Sequence, residues 1–150
     1  MHRVWAVVAA LVAAIALGAC GGGNDELSES EYREQAQKIS DTFDSQFAPA
    51  YEKAQSDDPD EALAGLEGVG ESSDEASQEL DKLQPPSEFQ VVHDKLSDSL
   101  TTVGDRANVL EGAIATEDDA GAKEAQTPFA QSISDLERAG EEYDKKVGTE

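Results

Sequence analysis

Phe89–Ile114 reads FQVVHDKLSDSLTTVGDRANVLEGAI, and its apolar residues decide the fold class. Phe89, Val92, Leu96, Leu100, Val103, Ala107, Leu110 and Ile114 recur every three or four positions, the spacing that lines one face of an α-helix. No proline interrupts them, and Gly104 falls off the stripe. Upstream, Pro85-Pro86 marks a stop. Ser87-Glu88-Phe89-Gln90 then has the form of a capping box, in which a serine and a glutamine three residues on satisfy each other's backbone donors.

Working outward, the same period appears three more times. Toward the N-terminus, Ala62, Leu66, Val69, Ser73, Ala76, Leu80 and Leu83 form a second stripe, opened by Asp57-Asp58-Pro59 with an acidic cap ahead of a first-turn proline. Gly65, Gly68 and Gly70 weaken it, each by about 1 kcal/mol relative to alanine. Ser72 with Glu75 could cap a fresh start, so this element is expected to be the weakest, and the sequence leaves open whether it is one helix or two pieces. Further back lie Tyr32, Ala36, Ile39, Phe43, Phe47, Tyr51 and Ala54, capped by Ser28 with Glu31 and interrupted by Pro49, where a kink or break is expected. Beyond the acidic turn Thr116–Gly121 come Ala122, Ala125, Phe129, Ile133, Leu136, Gly140, Tyr143 and Val147, with a kink or restart at Pro128 and Thr127 as its cap. The expected fold is all-α, an antiparallel up-down-up-down four-helix bundle, because short connections make sequential helices neighbours. The alternative is a three-helix bundle with a loose second segment.

The opening segment follows a different logic. Met1-His2-Arg3 precedes an unbroken apolar run from Val4 to Leu17. That run is shorter than the roughly 20 residues a membrane-spanning helix needs, and it suits the apolar region of an export signal. It ends in Leu17-Gly18-Ala19-Cys20, followed by three glycines. This resembles the lipobox of bacterial lipoproteins. The resemblance implies cleavage before Cys20 and a diacylglyceryl thioether on its sulfur, hence a membrane partner reached through lipid on the extracytoplasmic side. The competing reading is an ordinary export signal with an incidental cysteine. The implied organisation is a signal peptide over residues 1–19, a lipidated tether over 20–26 and an acidic helical domain over 27–150. The pattern Leu80-x-x-Leu83-x-Pro85-Pro86, with His93-x-x-Leu96 after a short gap, is also similar to small helical lipoproteins of actinobacteria. That likeness supports fold and location and transfers no site.

The chain's formal charge is −22, and removing Arg3 with the signal takes it to −23. Such acidity opposes binding to nucleic acid, itself a polyanion. Catalytic constellations are missing from the sequence as well. A di-iron bundle needs Glu-x-x-His pairs, covalent haem needs Cys-x-x-Cys-His, and a hydrolase elbow needs Gly-x-Ser-x-Gly. None occurs, so neither an enzyme nor a cofactor is expected. His93, the one histidine beyond the signal, borders the apolar seam. It reads as a metal ligand, as a pH-responsive group or, in the plainer view, as a partly buried side chain bonded to a neighbouring carboxylate. The acids Asp57, Asp58, Asp60 and Glu61, and separately Glu117, Asp118 and Asp119, are candidates for weak divalent binding. They lack the ligand spacing of a helix–loop–helix calcium site, and helix capping explains them as well. Three functions stay open from sequence: a surface binding or scaffold module, a cation-binding lipoprotein, and an acidic spacer.

Overall fold

A computed structural model describes residues 26–148 and forms the expected bundle of four helices, with no strand among those residues. They are α1 (Glu29–Ala54), α2 (Pro59–Asp81), α3 (Gln90–Ala115) and α4 (Asp119–Val147). The export signal and Cys20 lie outside the described residues. No helix among those described is long and apolar enough to cross a membrane.

Local chemistry sets most of the boundaries. Ser28 and Glu31 form a complete capping box at the start of α1. Asp58 accepts from the backbone N–H groups of Asp60 and Glu61, with Pro59 in the first turn of α2, and Asp118 accepts from Gly121 N–H at the start of α4. Removing such a cap typically costs about 1 kcal/mol. Asp58→Ala is therefore expected to lower stability by about that amount, read as a shifted urea midpoint with an unchanged slope.

The start of α3 departs from expectation. Phe89 is its N-cap and makes no side-chain cap bond. The Ser87 N–H is instead taken by the carboxylate of Glu26, and Leu27 N–H donates to the Gln84 carbonyl at 2.9 Å. The proposed 20–26 tether is thus docked at its last residue, and Glu26 and Leu27 form a strap across the α2–α3 turn while α3 starts without a side-chain cap. Neither Pro49 nor Pro128 ends its helix. Pro49 faces solvent, where water can take up the carbonyl it frees, and Phe47, Ala50 and Tyr51 around it are packed on the core. Tertiary packing outweighs the local penalty there.

Nor does α2 split. Ser72 starts nothing new; its hydroxyl donates back to the Gly68 carbonyl at 2.7 Å inside a continuous helix. The glycines explain why this helix holds. A Cβ on Gly65 would sit 2.6 Å from the Ala54 Cα and closer still to its nitrogen, and one on Gly68 would sit 2.9 Å from Ala50 Cβ. They are the places where α1 lies on α2, so their propensity cost is offset by close packing. Gly104, expected off the stripe, is buried against α2, where an added Cβ would come within 3.1 Å of Asp74 Cγ.

Pairings run in opposite directions along each sequential pair. Gly65 meets Ala54 while Gly68 meets Ala50; Gly70 lies by Asn108 while Ser77 lies by Thr101; Ala113 approaches Gly121 while Lys95 bonds Glu142. All three neighbouring pairs are antiparallel and close-packed. The α1 and α4 backbones stand further apart and meet through side chains, Tyr32 with Tyr143 and Tyr51 with Phe129. The main core contains Leu66, Val69, Leu80, Leu100, Val103, Phe129 and Leu136. A second cluster of Tyr32, Ala36, Phe89, Tyr143 and Val147 closes the end at which α1 begins and α4 finishes.

Candidate functional site

The second cluster holds a polar chain inside an apolar shell. Tyr143 donates its hydroxyl to the Tyr32 hydroxyl at 2.9 Å, and the Tyr32 hydroxyl lies 2.8 Å from His93 Nδ1. A proton on Nδ1 would leave the Tyr32 proton without a partner in the chain, so the arrangement that pairs every donor has Tyr32 donating to Nδ1. The network therefore assigns a neutral imidazole carrying its proton on Nε2. Three helices contribute: α1 brings Tyr32, α3 brings His93 and α4 brings Tyr143. Phe89 packs against Tyr32 at a ring separation of 5.7 Å, and the Arg33 guanidinium stands 5.3 Å from the Phe89 ring centre.

Burial governs the protonation of this chain. His93 is 4% exposed, and desolvation holds its pKa below the ordinary 6.5 although the Asp94 and Asp81 carboxylates favour the charged form. Burial likewise pushes the Tyr143 phenol far up, reinforced by its bond with Tyr32. Tyr32 is raised by burial against the opposing effect of the Tyr143 hydrogen bond. All three shifts favour the neutral forms.

A second polar run joins α2 to α3. Ser77 Oγ lies 3.1 Å from Ser97 Oγ and 2.8 Å from Thr101 Oγ1, and Ser97 donates to the Asp81 carboxylate at 2.7 Å. One turn before Ser77, the Ser73 hydroxyl is completely buried with no hydrogen-bond partner. An unsatisfied buried hydroxyl costs stability and an isosteric apolar replacement removes that cost. Ser73→Ala is accordingly expected to raise the unfolding free energy by about 1 kcal/mol, helped slightly by alanine's helix propensity. A higher urea midpoint would register it.

An open groove of about 260 Å³ runs between α1 and α2, with Ile39, Phe43 and Ala76 along it and Lys38, Glu75 and Glu79 among its charged residues. Of the residues singled out from sequence, His93 lies at the α1-start end of the bundle, whereas Asp57, Asp58 and Asp60 lie in and just after the α1–α2 turn at the far end. Nothing joins them into one site. Asp58 spends its carboxylate capping α2. Among the described residues no three His, Cys, Asp or Glu side chains converge as a metal site would require. The plainer reading of His93 is corrected in its partner: the imidazole is bonded to a phenol hydroxyl, not to a carboxylate. Tyr32 and Tyr143 figured in the sequence only as stripe residues. The Tyr32–His93 and Tyr32–Tyr143 contacts span 61 and 111 positions, which no local pattern encodes. Comparisons with protein families, curated proteins and solved structures return no match.

Proposed function

We propose that this chain is a lipid-anchored, extracytoplasmic binding module without catalytic activity, held to the membrane through acylated Cys20. The observation that carries the reading is the Leu17-Gly18-Ala19-Cys20 sequence at the end of an apolar run too short to span a bilayer. Two or more acyl chains, each contributing about 0.8 kcal/mol per buried CH2, hold a protein on a membrane far more firmly than one. On this reading the lipidated segment would lead into the strap, whose Glu26 and Leu27 bond to the α2–α3 turn. The groove beside Ile39 and Phe43 is the concave apolar surface such a module would offer a partner.

The native chain is expected to fractionate with membranes, to begin at Cys20 and to carry fatty-acyl mass on that residue. Cys20→Ala should release it to the soluble fraction. A native N-terminus at Met1 without acyl mass would overturn the anchor. Repeated cross-linking in envelope preparations with no partner recovered would count against the binding role.

A further inference from the structure

We propose that the Tyr143–Tyr32–His93 chain is an acid-sensitive latch, which opens the α1-start end of the bundle and frees the Glu26–Leu27 strap when His93 takes up a second ring proton. The geometry makes the chain directional. Each hydroxyl donates toward Nδ1, so a proton on Nδ1 turns the final acceptor into a donor facing the Tyr32 hydroxyl. The chain then holds three protons for two contacts: the Tyr32 oxygen either accepts from both Nδ1 and Tyr143, leaving its own proton without a partner, or donates to Tyr143 and passes the shortage on. Either way one phenol proton needs a new acceptor, and the side chains of Phe89, Val147 and Ala36 provide none. Protonation therefore leaves one donor of the chain short of a side-chain partner and puts a charge on a buried imidazole, both costly where water is excluded.

The strap shares this fate because Leu27 packs on the same cluster and its N–H is held by Gln84. The groups facing His93 are Tyr32 on α1, Asp81 on α2, Asp94 on its own helix and Tyr143 on α4, with Arg33 over Phe89. Asp81 and Asp94 favour the imidazolium, whereas burial opposes it and prevails. The sign follows. With the folded value below the unfolded 6.5, the contribution of His93 is fully present above that pH and is lost as pH falls through the interval between the two values. Asp44 and Asp144, whose carboxyls burial pushes up, act in the opposite sense on acidification. A comparison with a variant at position 93 cancels them.

The test uses the full chain in detergent micelles, with amide hydrogen exchange and ring NMR followed from pH 7.5 to 5. After correction for intrinsic exchange, opening at Tyr32, Arg33 and Ala36 should rise about tenfold per pH unit within the titration interval of His93. Amides in the middle of α2 and α3 should rise less. His93→Gln keeps an acceptor for Tyr32 and cannot take a proton, so its α1 amides should show no such rise. Equal acid sensitivity in the two proteins would overturn the latch. If the variant failed to fold, the native ring signal would still decide: titration at or above 6.5, or titration below it without loss of protection at the start of α1, would refute the proposal.

Discussion

Tyr32→Ala is expected to lower the unfolding free energy by about 4 kcal/mol, within the range for deleting a buried aromatic ring. Tyr32 has no exposed surface and its ring centre stands 5.7, 5.8 and 6.4 Å from those of Phe89, His93 and Tyr143. Its loss opens a void where α1, α3 and α4 converge, and it strands both the Tyr143 hydroxyl and His93 Nδ1. Domains of this size are stable by about 5–15 kcal/mol, so the change removes a large share of the total. Tyr32→Phe separates the two contributions. It keeps the ring and removes only the central hydroxyl, for an expected loss of about 2 kcal/mol. Urea titrations of the three proteins check the order; an alanine variant no weaker than the phenylalanine one would show that the ring is not needed for packing.

Gly65→Leu should be of similar size, for the opposite reason. Here nothing is deleted. A side chain is forced between two backbones already in contact, since even a Cβ would lie 2.6 Å from the Ala54 Cα. Overpacking of this kind costs about 1–3 kcal/mol where side chains can yield. Backbone cannot yield without parting α1 from α2, so a loss of about 3 kcal/mol or more is expected. Gly112 supplies the control, because a Cβ there meets nothing within 4 Å. Gly112→Ala should add about 1 kcal/mol through helix propensity alone. Opposite shifts in the two urea midpoints would establish that packing, not glycine content, decides the sign.

The contrast between these glycines shows where sequence reading succeeds and where it stops. The four stripes were visible because burial of one helical face leaves a period that survives in the chain. Phe129, Leu100 and Val69 are core residues as that period requires. What period does not carry is the identity of the opposing surface. Gly65, Gly68 and Gly70 therefore counted as weaknesses in a helix that proves continuous, since the benefit of a small residue lies in a neighbour some distance away in sequence. The same holds for Pro49, tolerated because of residues packed on either side of it, and for Ser87, which caps nothing and instead donates its N–H to Glu26. For the candidate site, sequence marked His93 on the seam but not the phenols that complete it. The Cys20 proposal is of another kind, resting on a local pattern recognised one residue after another.

Four is an even number, and in a bundle of antiparallel neighbours that parity has a spatial result. Glu26 and Gly148 lie at the same end of the bundle, where Leu27 and Val147 pack on one cluster and Arg33 donates to the Gly148 carbonyl at 3.2 Å. The turns carrying Asp57–Glu61 and Glu117–Asp119 therefore share the opposite pole, about 40 Å away for helices of this length. With the Glu26 side moored as proposed, the acidic turns Asp57–Glu61 and Glu117–Asp119 lie at the end of the bundle away from the attachment.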